Sequence, residues 1–192
     1  PADRTRADMK GGQAIVDLMV EFHGRTAHAA ADPWNGRSAA DAVELFTHAV
    51  NLMREHVPPT SRIHYTIAAA GDVPNVVPEH GRVWIWARDF DRKVLDGIVE
   101  RIHKAAEGAA LGAGVEGKAR VQAGDLEILI NETGARLLDA NLRWLGSIAY
   151  TPEEDAFARK LQASAGVEVR GMDTEIVPLE GQENEGGSTD VG

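Results

Sequence analysis

Residues 14–23, AIVDLMVEFH, place Ala14, Val16, Leu18, Val20 and Phe22 on one face and Asp17, Glu21 and His23 on the other. A period of two with polar groups on one side predicts a half-buried strand. A loop of small residues follows, and then Ser38 with Asp41 three positions on, a pairing that resembles a capping box. Behind it Ala39, Ala42, Val43, Phe46, Val50 and Met53 recur at helical spacing. They predict a helix up to about His56, which Pro58 and Pro59 stop.

RIHYTIAAA at 62–70 alternates again, and the glycines and prolines of GDVPNVVPEHG break it. RVWIWARDF at 82–90 predicts a third strand, with Val83, Ile85 and Ala87 on one face and Trp84, Trp86, Arg88 and Phe90 on the other. Asp91 caps a helix running to about Ala110, with Leu95, Ile98, Ile102, Ala105, Ala106 and Ala109 as its apolar stripe. KARVQAG from Lys118 predicts a fourth strand, continued through LEILI to about Ile130.

The order is β-α-β-β-α-β. Each crossover returns over the same side, so the expected fold class is α+β: a ferredoxin-like, four-stranded antiparallel sheet with two helices on one face, over 14–130. From Glu132 the pattern is helical, through ETGARLLDANLRWLG and TPEEDAFARKLQASAG, and reads as a separate unit. The closing EGQENEGGSTDVG has the composition of a flexible tail.

Charge and composition narrow the function. Twenty Lys and Arg against 30 Asp and Glu give a net charge of −10, which repels phosphate backbones and argues against nucleic acid. No apolar run approaches the ~20 residues of a membrane span. The chain has no cysteine, so disulfides, thiolate metal sites and cysteine nucleophiles are excluded together, and a cytoplasmic address is expected. A start at Pro1 and a finish at GGSTDVG without a terminal element suggest a piece of something longer.

Seven histidines invite a metal hypothesis that their spacings do not support, since no HExxH or paired His-carboxylate helix motif occurs. His28 sits among alanines where the chain leaves the first strand. It reads as a plain loop residue, a metal ligand or a group presented to a substrate. Arg88 beside Trp84 and Trp86 reads either as a stabilising stack or as a binding group. Asn75 in VPNVVPE reads first as a turn residue, and the backbone of GGSTDVG as a weak anion cradle.

Taken jointly, GRTAHAAADPWNGRSAADAV, PNVVPEHGRVWIWAR and GGSTDVG resemble the M20 family of metallopeptidases and amidohydrolases. Asn75 and Arg88 are 13 residues apart, the spacing between the family's lid Asn and lid Arg. The resemblance implies a catalytic domain with a dinuclear metal centre, interrupted by a lid or dimerisation domain of the topology deduced above. Residues 1–13 then become a linker from the catalytic domain, 14–130 the lid, and 131–192 a partial C-terminal segment of the catalytic domain.

On that resemblance His28 matches the lid histidine that enters the partner subunit's active site. There it stabilises the oxyanion formed when metal-bound hydroxide attacks an amide carbonyl. Asn75 and Arg88 match the groups that hold the substrate carboxylate, with backbone N–H groups near Gly187 and Ser188 adding to the clamp. The implied cofactor is a divalent metal, two zinc or manganese ions held by segments this chain lacks. The implied partners are a second copy through the lid and an N-acyl or N-aroyl amino acid. Two alternatives stand beside it: a di- or tripeptidase of the same family, and a noncatalytic ferredoxin-like module that binds a small ligand between subunits.

Overall fold

In the computed structural model, which describes residues 5–184, four strands form one antiparallel sheet. In chain order the elements are β1 (Lys10–Gly11), β2 (Ala14–His23), α1 (Ala39–Met53), β3 (Arg62–Ala70), β4 (His80–Asp89), α2 (Arg92–Ala113) and β5 (Glu116–Asp125). They are followed by α3 (Glu132–Leu145), α4 (Pro152–Ser164) and β6 (Glu183–Asn184), and short 3-10 turns occupy Pro33–Asn35 and Arg54–His56. The large sheet runs β3-β4-β2-β5 with every neighbour antiparallel. With α1 and α2 packed on one face this is the ferredoxin-like α+β arrangement.

The chain divides into two compact units: residues 12–128, and a second that joins residues 5–11 to 129–184. In the first, the alternating faces close on the helices as the pattern demands. Ala14, Val16, Leu18, Val20 and Phe22 are all buried, with Leu18 opposite Ile85 and Val20 opposite Val83. The α1 stripe from Ala39 to Met53 and the α2 residues Leu95, Ile98, Ile102 and Ala106 complete the core. The rings of Phe22 and Phe46 meet at 6.0 Å and 58°. Each fully buried side chain of this size stabilises by roughly 1.5–3 kcal/mol.

Caps set the helix ends. The Ser38 hydroxyl accepts from the Asp41 N–H at 3.2 Å, and the Asp91 carboxylate accepts from the Lys93 N–H at 2.7 Å. The second helix runs past Ala110 and stops at Gly114, whose φ of +67° no side chain adopts cheaply.

The structure corrects two expectations. Residues 126–130 are not strand: the last β2 partner for β5 is Ile15, opposite Asp125, and beyond it Ile128 N–H reaches Gly12 O at 3.2 Å. Of the segment expected as a flexible tail, residues 180–192, Glu183 and Asn184 form β6, which pairs in parallel with β1, Lys10 against Glu183 and Gly11 against Asn184, and residues 185–192 lie outside the described residues. Two-residue strands carry no alternation to read.

Candidate functional site

The β2-β4 ladder does not stop at its last sheet pair, His23 opposite His80. Gly24 N–H donates to Glu79 O at 2.8 Å, Val77 N–H to Ala27 O at 3.0 Å, and Ala29 N–H to Asn75 O at 3.0 Å, with His28 bridged to Val76. On the other side Arg25 and Arg37 exchange backbone bonds of 2.8 and 2.9 Å. Gly24 is required at this crossing, because a Cβ there would collide with the Arg37 carbonyl. The loop is therefore a two-stranded extension of the sheet, anchored on both flanks.

At its tip the His28 backbone folds into a turn in which Asp32 N–H donates to His28 O at 3.1 Å and Asp32 Oδ1 accepts from His28 N–H at 3.1 Å. His28 Nδ1 accepts from the N–H groups of Ala30 and Ala31, both at 3.2 Å. That network assigns Nδ1 as acceptor and leaves the proton of the neutral ring on Nε2. The ring is exposed, so it presents an N–H donor outward from a fixed backbone. Asn75 is exposed beside it, its backbone oxygen taken by Ala29 and its carboxamide unbonded among the described residues.

Arg88 lies at the opposite end of the same ladder, paired with Ile15 on β2 and Arg62 on β3. It is half-buried on the sheet face without helices, its guanidinium carbon 5.2 Å from the centre of the Trp86 ring. Trp84 meets Trp86 edge to face at 5.7 Å and 82°, and donates its indole N–H to Asp17 Oδ1 at 2.6 Å. His64, Thr66, Trp84, Trp86 and Arg88 line an open hollow of ≈ 430 Å³. Among the described residues Arg88 has no carboxylate partner.

The structure thus places the backbones of His28 and Asn75 on neighbouring rungs of one ladder and separates both from Arg88. The eight residue steps from His80 to Arg88 alone span roughly 26 Å at ~3.3 Å per residue, and the His28 bridge continues the ladder past His80. One protomer cannot place all three side chains on one small substrate. Gly187 and Ser188 lie outside the described residues. Among the described residues no group of three or more His, Asp or Glu side chains is placed to hold a metal ion.

Sequence reasoning passed over Asp32 and Asp17. The Asp-Pro step at 32–33 is a turn signal that marks the first. The second is one polar-face residue among several, and only the cross-strand neighbour reveals its role.

Fold and sequence together define a dimerisation domain. The chain belongs to the M20 family: residues 12–113 match its peptidase dimerisation domain. Over 172 residues it is 34% identical to a p-aminobenzoyl-glutamate hydrolase subunit of Escherichia coli (strain K12), a match covering 89% of this chain and 36% of that protein. It is 32% identical over 98 residues to the Xaa-Arg dipeptidase of Mus musculus, covering 51% of this chain and 23% of the dipeptidase.

Among solved structures, the aminobenzoyl-glutamate utilization protein from Klebsiella pneumoniae superposes with a TM-score of 0.59 at 22% identity, over 72% of this chain and 36% of the other. A hydantoinase/carbamoylase family amidase from Burkholderia vietnamiensis gives 0.63 at 17%, over 73% and 34%. Both show the shared fold. The chain spans about a third or less of the length of these curated relatives. No described helix is long and apolar enough to cross a membrane.

Proposed function

We propose that residues 12–128 are the lid of a cytoplasmic, homodimeric amidohydrolase that cleaves the amide bond of N-acyl or N-aroyl amino acids, and that residues 131–192 belong to its catalytic domain. The observation that carries this reading is His28. Its Nδ1 is satisfied by its own loop and its Nε2–H points outward at the tip of an anchored ribbon. A neutral imidazole donor held this way suits a developing oxyanion, which needs a donor already in place. Asn75 stands ready beside it to donate through its carboxamide.

The described residues do not fit the two zinc or manganese ions that the family resemblance implies. Those ions are assigned to segments outside this chain, and no step here is routed through them. What this chain supplies is binding and orientation. Arg88 takes the substrate carboxylate as a planar fork, and the hollow beside it accepts the adjoining group. Because Arg88 and His28 lie at opposite ends of one ladder, each site uses Arg88 of its own subunit and His28 with Asn75 of the other. A dipeptide with a free C-terminal carboxylate meets the same arginine, and the similarity to an Xaa-Arg dipeptidase motivates that second reading.

Mixing two inactive full-length variants tests the arrangement. In a His28→Ala, Arg88→Ala heterodimer, the His28→Ala subunit keeps its own Arg88 and receives His28 from its partner, so one site is whole. In a two-fold dimer, random exchange at equal amounts should return about a quarter of wild-type activity. If heterodimers form, verified by mass, and activity stays at the level of the parents, both residues serve the same site and the assignment fails.

A further inference from the structure

We infer that Trp86 is a positioning residue for Arg88, itself held through Trp84 and Asp17. The inference rests on the reading of Arg88 as the carboxylate anchor. An arginine side chain has large rotamer freedom, and Arg88 has no carboxylate among the described residues to restrain it. Its one described side-chain contact is the face of Trp86 at 5.2 Å. A guanidinium stacked on an indole keeps its edge, where its N–H donors lie, free for a planar anion.

Alternation along β4 puts residues 84, 86 and 88 on the same face, so the series is set by the sheet and not by a mobile loop. Trp84 meets the Trp86 ring at 82°, the favourable edge-to-face geometry of an aromatic pair. The Trp84 indole N–H is in turn fixed by Asp17 at 2.6 Å from the neighbouring strand, where Asp17 sits opposite Trp86. Asp17 has a second effect. It is the carboxylate diagonal to Arg88, and its bond to Trp84 turns it toward the indole, leaving the arginine for a carboxylate that arrives with the substrate.

The test uses the full-length enzyme with p-aminobenzoyl-glutamate and with the same compound amidated at its α-carboxylate. Trp86→Leu should raise KM for the acid about two- to tenfold, the range of one cation–π contact, while kcat stays within about twofold. Trp86→Phe should recover most of the loss, and Asp17→Leu should raise KM less than Trp86→Leu does. For the α-amide, Trp86→Leu should lower kcat/KM by clearly less than it does for the acid, since only the contact of the hollow with the adjoining group is then lost.

If Trp86→Leu does not fold, Asp17→Asn against Asp17→Leu carries the same comparison, since Asn keeps the acceptor for Trp84. Unchanged KM in these variants, with KM raised in Arg88→Lys, overturns the positioning role and leaves the anchor standing. Unchanged KM in Arg88→Lys overturns the anchor reading itself; no turnover of p-aminobenzoyl-glutamate by the wild type overturns the N-aroyl reading, and the same acid-against-amide comparison is then made with a dipeptide. An equal loss on the amide places Trp86 against another part of the substrate and overturns the proposal.

Discussion

The two units of the chain are built from helices of similar local quality and reach opposite outcomes in burial. In residues 12–128, α1 and α2 each bury a continuous stripe against the sheet. In the other unit neither α3 nor α4 has a buried residue, and Trp144 is 83% exposed. Yet both are well-made helices. Glu132 pairs with Arg136, Asp139 with Arg143 and Asp155 with Arg159, all at i,i+4, and Thr151 with Glu154 forms a capping box. Caps and surface pairs shape a helix for a few tenths to about 1 kcal/mol each. A buried face decides whether helices share a core, and within these 192 residues the sheet supplies one to α1 and α2.

Core truncation gives the largest expected contrast. Phe46→Ala removes a fully buried ring that packs on Phe22 and should lower the unfolding free energy of the 12–128 unit by about 3–5 kcal/mol. Trp144→Ala removes a side chain of similar size from the surface of α3 and should change it by less than about 0.5 kcal/mol. Urea titration followed by circular dichroism on the 192-residue chain measures both. Losses of similar size would break the distinction between the two units.

Polar ties sharpen the same contrast. Asp89 is 2% exposed and accepts from Ser61 Oγ at 2.5 Å, Thr60 Oγ1 at 3.1 Å and the Asp91 N–H at 3.0 Å. It closes the start of β3 against the end of β4, with Gln13 Nε2 bonded to Thr60 O at 2.8 Å in the same corner. Asp89→Ala leaves these donors without their acceptor and should cost about 2–3 kcal/mol in the same titration. A cost within error of zero would mean that water replaces the carboxylate there.

Asp89 also marks the limit of what the pattern of residues conveys. Alternation puts it on the same face as Val83, Ile85 and Ala87, where a lone charge looks misplaced, and its partners stand 28 and 29 positions away. The strand faces, the helix stripes and the ferredoxin-like order were legible because each repeats over eight or more residues. The pairing of residues 24–29 with 75–79 was not, since both segments are loops by composition and the bonds join distant backbone. Asn75 is the turn residue it looks like, between Val73 and Val76, and only the distant backbone bond to Ala29 shows that this turn also flanks the His28 loop. The 13-residue spacing to Arg88 was equally visible, but along a strand that spacing means distance, so two residues that look like one local clamp on paper stand far apart in this chain.

The smallest expected effect concerns Asp155, the surface counterpart of Asp89. Its carboxylate accepts from Arg159 Nε at 2.6 Å and from the Met172 N–H at 2.8 Å, tying the segment after α4 back to the helix. The Arg159 bond first, and the Met172 N–H second, hold its pKa below the ordinary value. A depressed carboxylate pKa means that the charged form belongs to the tied state. The tie is then fully present above the unfolded value of about 3.9 and is lost as pH falls through the lower folded value. Because the pair is exposed and screened by solvent, the loss should not unfold the chain. It should appear as a titration of the Met172 amide resonance with a midpoint below that of an ordinary aspartate. Asp155→Asn keeps an acceptor for Met172 and should abolish that titration while leaving the circular dichroism of α4 unchanged. A Met172 midpoint at or above the ordinary value would show that the charge on Asp155 is not what holds the segment.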